Sequence, residues 1–211
     1  TLHRDLPGLV ENGVQRGLAI NISSNGSDTS QLAEIMRRFP GVQVGVSVND
    51  HHTADRLKEF IRNHKPVVKT VLGNRLDGSL IETLLSYRLK AFYLLYQDAM
   101  DRAQLIDAVP FDDYLRVVRS RADAGRIGTV YCSGFLPDLR NYPQLRNTRC
   151  PAGTTKLGVL PDGSVYPCNL LFGNEAYRLG NILTDPFEKI WRHEALTFFR
   201  RFVGNRCPRK A

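Results

Sequence analysis

Four cysteines in a chain of 211 residues carry its most specific chemistry. Two of them, Cys150 and Cys168, bracket a β-hairpin pattern. Thr155–Leu160 and Ser164–Tyr166 read as short strands. Pro161-Asp162-Gly163 between them supplies a fixed φ, a local hydrogen-bond acceptor and a residue free to take φ > 0. Closing that hairpin returns both thiols to its open end, as two ligands of one metal centre require. Cys207 follows a patterned helix. Asp185-Pro186 opens this helix with Glu188 at capping-box spacing, and Phe187, Ile190, Trp191, Phe198 and Phe202 recur as a core-facing stripe. Gly204-Asn205 ends it and turns Cys207 back towards the hairpin mouth. Soft thiolates suit an iron–sulfur cluster, and zinc accepts the same donors tetrahedrally, so spacing alone leaves both open. Four unliganded thiols would leave the bracketed hairpin without a reason.

The rest of the chain has to position that segment. With 42% hydrophobic and 24% charged residues it is ordinary globular protein, long enough for one substantial core and a small appendage. No apolar run reaches the length of a membrane span, and the first residues are unlike a signal peptide. A cytoplasmic, reducing setting is therefore expected, in which clustered cysteines serve metals more often than disulfides. The net charge of +8 suits acidic partners. The basic residues are spread along the chain with one local excess at Arg200, Arg201, Arg206, Arg209 and Lys210, and they lack the regular interleaving of aromatics of a strand-binding surface, which speaks for a solvated face and against a nucleic-acid site.

Read in order, the chain alternates. Leu6, Leu9, Val10 and Val14 mark a first helix stopped by Gly17, and Leu18–Ile22 reads as a strand ending in the polar turn Ser23-Ser24-Asn25-Gly26. Asp28 and Gln31 start a helix carrying Leu32, Ile35 and Met36. Val42–Val48 is the next strand, with His51-His52 beyond it in a polar loop and a cap at Thr53. A helix with Leu57, Phe60 and Ile61 precedes the strand Val67–Leu72. One with Leu80, Ile81, Leu84 and Leu85 precedes Ala91–Tyr96. Phe111–Ala124 is a further helix, Ile127–Cys132 a short strand, and Arg140–Arg149 a polar linker taken as the domain boundary. Such alternation predicts parallel strands joined by right-handed crossovers, in a doubly wound sheet or part of a (β/α) barrel, with function at the strands' C-terminal ends. His51-His52 is assigned no role, and no hydrolytic triad is visible.

The same residues carry a resemblance. Cys150-Pro-Ala-Gly, Pro161-Asp-Gly-Ser-Val-Tyr-Pro-Cys168, Leu179-Gly-Asn-Ile and the helix Pro186-Phe-Glu-Lys-Ile-Trp191 resemble, in order, the SPASM or twitch extension of radical S-adenosylmethionine (radical SAM) enzymes. Leu2–Pro7 and Leu18–Gly26 are similar to the segment just after the family's Gly-Gly-Glu-Pro strand. The resemblance implies an α/β chain with a partial TIM-like (β/α) barrel over 1–139 and a small cysteine-rich hairpin-plus-helix domain over 140–211. It implies S-adenosylmethionine and an auxiliary [4Fe-4S] cluster as cofactors. It also implies a peptide, protein or small-molecule substrate and a reducing partner such as flavodoxin or ferredoxin. The family's Cys-x-x-x-Cys-x-x-Cys has no counterpart in these residues. The chain is therefore expected to be the C-terminal part of such an enzyme, inactive alone.

By the same resemblance Cys150, Cys168 and Cys207 are cluster ligands. The usual fourth ligand falls at Lys210, so Cys132 is an alternative fourth, although an inert thiol on an apolar strand is its plainer reading. Ser47 would touch the cofactor's methionine or ribose, Lys69 would neutralise its carboxylate, and Ser24 and Asn25 match a strand end that lies near it. Ser24 and Asn25 could equally close a turn, and Lys69 could be a surface lysine. The alternative function from another class is a zinc-stabilised α/β module that binds an acidic peptide through its basic C-terminal helix.

Overall fold

A computed structural model describes residues 3–73, 77–97, 109–120, 127–132, 142 and 150–201. The chain divides into two compact units, Thr1–Gln97 with Ile106–Tyr131, and Asp98–Leu105 with Cys132–Ala211. The division at Tyr131 and Cys132 precedes the 140–149 segment in which the sequence places a linker, most of which lies outside the described residues.

In the first unit β1 (Asn21–Ser24), β2 (Gln43–Ser47), β3 (Val67–Leu72), β4 (Ala91–Tyr96) and β5 (Ile127–Val130) form one sheet. All pairs are parallel and the spatial order follows the sequence, β1-β2-β3-β4-β5. A doubly wound sheet reverses its order at a switch point. This one does not, which is the connectivity of a partial barrel. α1 (Leu6–Gln15), α2 (Thr29–Arg38), α3 (His51–His64) and α4 (Gly78–Ser86) pack in succession, each on the next, and α5 (Phe111–Ser120) lies on β4 and β5.

The strands' period of two sorts the faces. Val44, Val46, Val68, Thr70, Phe92 and Leu94 are buried with the helices' Leu32, Ile35, Leu57, Ile61, Leu80 and Leu84. Thr70 is tolerated there because its hydroxyl donates to Val48 O at 2.7 Å. α5 is anchored by Tyr114, whose hydroxyl donates to Leu94 O at 2.8 Å and whose burial pushes the phenol up.

Three local expectations shift. The first helix buries only Val10, and Leu9 and Val14 are exposed. Gly17 (φ +75°) and Leu18 N, which donates to Gly13 O at 3.0 Å, close the helix end. The strand therefore begins at Asn21 rather than Leu18. His51 and His52 form the first turn of α3, not a loop, because Asp50 is the cap and accepts from Thr53 N at 2.6 Å.

The second unit contains a three-stranded antiparallel sheet of β6 (Gly158–Val159), β7 (Ser164–Tyr166) and β8 (Gly180–Asn181) in that order. The hairpin is as predicted, with a shorter first strand, and β8 comes from the Leu179-Gly-Asn-Ile segment. The predicted single helix is two, α6 (Phe187–Trp191) and α7 (Ala195–Arg201), because His193 Nδ1 accepts from Ala195 N and starts a new one. Its stripe is only partly core: Ile190 is buried and Trp191 half-buried, Phe187 and Phe198 are exposed, Phe202 lies outside the described residues, and the buried aromatic of α7 is Phe199, which the stripe did not include. Among the described residues no helix is long and apolar enough to cross a membrane.

Candidate metal centre and sheet-face site

The hairpin turn is fixed by side chains. Asp162 accepts from Ser164 N and Ser164 Oγ, both at 2.9 Å, and these bonds hold its carboxyl below the usual value. Gly163 takes φ +85° there. β7 then delivers Cys168 through Pro167 to a 3₁₀ turn over Asn169–Leu171, whose Leu171 N donates to Cys168 O at 3.1 Å.

Cys150 is placed by a separate tight loop. Pro151 O accepts from the backbone N–H groups of Thr154, Thr155 and Lys156, and Gly153 N donates to Lys156 O at 2.9 Å. Gly153 has φ +67°, and a Cβ on it would lie 2.8 Å from Leu196 Cδ2, so this loop sits directly on α7. Arg200 fastens it: Nε donates to Gly153 O at 3.0 Å, Nη2 donates to Trp191 O at 2.6 Å, and the guanidinium lies 4.7 Å from the Trp191 ring centroid. Arg200 thus ties the loop to the helix end while remaining exposed.

Cys150 and Cys168 are both half-buried and both pack against one apolar cluster, Ala152, Tyr166, Leu171 and Phe199. Two soft donors on a shared low-dielectric wall fit an iron–sulfur cluster, which takes thiolates and whose potential depends on burial. Cys207 lies outside the described residues. Cys132 is not on a strand, since β5 ends at Val130. It also does not join Cys150 and Cys168: among the described residues no three His, Cys, Asp or Glu side chains form a group able to hold a metal.

On the first unit's sheet, the face opposite the helices carries Ser23, Gly45, Ser47, Lys69 and Tyr93. Register aligns Ser23 with Gly45, and Ser47 with Lys69 and then Tyr93. Lys69 reaches back across Gly45, where an added Cβ would stand 3.2 Å from its Cε, and donates to Ser23 Oγ at 2.6 Å. Lys69 and Ser47 therefore share a face. Ser24 does not: it points to the helix side, is buried, and accepts from Gly26 N at 3.0 Å. Asn25 Oδ1 accepts from Ser27 N at 3.1 Å, and Arg56 holds the Asn25 and Gly26 carbonyls. Of the two readings open in the sequence, Ser24 and Asn25 make the turn-closing contacts. The residue that sequence reasoning missed is Ser23. Its signal is the alternation of faces along β1, which puts residue 23 rather than 24 with Lys69.

Residues 150–209 match the family model of SPASM, an iron-sulfur cluster-binding domain. Among solved structures, Streptococcus suis SuiB bound to precursor peptide SuiA is similar at a TM-score of 0.75 and 14% identity, over 94% of this chain and 53% of that one. A histidine-tagged anSMEcpe with bound AdoMet gives 0.62 and 17%, over 93% and 63%. Native anSMEcpe with AdoMet and a bound peptide gives 0.58 and 16%, over 93% and 64%. The chain thus spans between about half and two thirds of the length of these structures. No curated protein sequence matches it. Residues 150–209 thus resemble an iron–sulfur cluster-binding domain, and the chain as a whole shares the fold of the SuiB and anSMEcpe structures.

Proposed function

We propose that this chain is the C-terminal part of a radical SAM enzyme that modifies a peptide. The observation that carries the reading is the pairing of Cys150 and Cys168 on one apolar cluster within the SPASM match. Cys150, Cys168 and Cys207 hold the auxiliary cluster in this reading. In this reading Cys132 is left outside the ligand set. The peptide assignment follows the bound peptides of SuiB and anSMEcpe.

S-adenosylmethionine, when bound by a reduced cluster, supplies a 5′-deoxyadenosyl radical. The chain's own work is recognition and exclusion of water. Lys69 presents an ammonium to a carboxylate, and Ser23, already its partner at 2.6 Å, holds the lysine extended along the sheet. Ser47, beside Lys69 in register, adds a hydroxyl that both donates and accepts. A zwitterionic cofactor needs these three functions together. A cluster held by Cys150 and Cys168 would have Tyr166, Leu171, Phe172 and Tyr177 as its apolar wall on that side.

The test is 5′-deoxyadenosine formation under reducing, anaerobic conditions. The 211-residue chain alone forms none. Joined to a segment that carries Cys-x-x-x-Cys-x-x-Cys it forms the product, and Lys69→Met in that protein raises the cofactor KM about tenfold, the loss of roughly one charge-assisted hydrogen bond. Product from the chain alone, or an unchanged KM, contradicts the reading.

A further inference from the structure

Lys156 belongs to the loop that carries Cys150, and its ammonium donates to Asn169 Oδ1 at 3.0 Å. Asn169 comes directly after Cys168, whose Sγ donates to the same oxygen at 3.5 Å. One amide therefore joins the two ligand-bearing segments. Gly158 keeps them close: a Cβ there would lie 2.7 Å from Phe172 Cε1 and 3.0 Å from Asn169 N. We propose that Lys156 is a positioning residue that acts through Asn169 on the Cys168 sulfur, so that the cluster is reduced at a higher potential than thiolates and apolar walls alone would set. This rests on the cluster reading above.

A metal-bound sulfur carries no proton and can only accept. Once the sulfur has lost its proton, its contact with Asn169 Oδ1 sets two acceptors side by side, and the ammonium held on that oxygen supplies the compensating positive charge. Adding an electron to a cluster adds negative charge. A cation held one amide oxygen from the sulfur stabilises the reduced form more than the oxidised one, and net charge around the sulfurs is among the things that move cluster potentials. Leu160 and Phe172 lie against the same apolar cluster as the two thiols and lower the local dielectric on that side. Lys156 itself is exposed, so screening moderates its effect without cancelling it.

The experiment compares the anaerobically reconstituted wild-type chain with Lys156→Met and Lys156→Arg. Iron content, far-ultraviolet circular dichroism and a dithionite titration monitored by the spin signal of the reduced cluster are measured for each. The expected result is equal iron in all three, a more negative midpoint potential for Lys156→Met, and recovery towards wild type in Lys156→Arg. An unchanged midpoint in Lys156→Met overturns the inference. So does a folded Lys156→Met that binds no iron, because Lys156 is then a structural tie and not a tuning group. A wild-type chain that takes up no iron overturns the cluster reading itself, and that failure is visible before any variant is compared.

Discussion

The two units hold their candidate sites in different ways. In the parallel sheet, Ser23, Ser47 and Lys69 meet because three strands are in register, and that register is enforced by a row of buried valines on the opposite face. In the second unit the strands are two or three residues long. Cys150 and Cys168 are set on one apolar cluster there because individual loop residues make specific bonds: Gly153, Arg200, Asp162 and Lys156. A site set by register is buffered, since no single side chain on the exposed face holds the sheet together. A site set by loops depends on each of its pins.

The largest effect that sharpens this contrast is expected from Gly153→Val. A β-branched residue at φ +67° with its Cβ against Leu196 costs about 3 kcal/mol, from left-handed strain and overpacking together. Thermal unfolding should show the second unit melting earlier, with the sheet unit unchanged; a shift in the sheet instead would break the distinction. Arg200→Met comes next. It leaves two carbonyls without their charged donor, for roughly 2 kcal/mol, and should loosen hydrogen-exchange protection at Gly153 before anywhere in the first unit. Lys69→Met is expected to change sheet stability by less than about 0.5 kcal/mol, as a residue on an uncovered face does, even though it removes the proposed carboxylate partner.

Asp162→Asn is the smallest and depends on pH. Hydrogen bonds from Ser164 lower the Asp162 pKa below 3.8. The ionised carboxylate therefore contributes stability above pH ~4, lost as pH falls through the folded value. The asparagine variant should be less stable than wild type at pH 7, with a difference that shrinks as the pH falls below about 4, by chemical unfolding at each pH. A difference that grows on acidification would have the wrong sign.

The alternation of strand and helix was legible because buried parallel strands are short apolar runs and the helices carry 3.6-residue stripes. The Cys-bracketed hairpin was legible because turn chemistry is local. Face assignment was not. β1 starts three residues later than its apolar run suggests, because the end of α1 consumes Gly17 and Leu18. The resemblance points to Ser24, whereas register with Gly45 sets Ser23 on the face of Lys69. The break between α6 and α7 was hidden for a similar reason: the aromatic spacing from Phe187 to Phe198 fits one helix, and only the bond from Ala195 N to His193 Nδ1 interrupts it. Cys132 was misplaced because β5 stops at Val130, a boundary that propensity does not encode.

The most direct test of the account is iron and sulfide content after anaerobic reconstitution of the 211-residue chain, beside Cys168→Ala and Cys132→Ala. The account predicts about four irons per chain with a broad thiolate-to-iron absorption band. It predicts that cluster in Cys132→Ala and its loss in Cys168→Ala, with all three proteins folded. Zinc as the only bound metal, or full iron retained in Cys168→Ala, would contradict it.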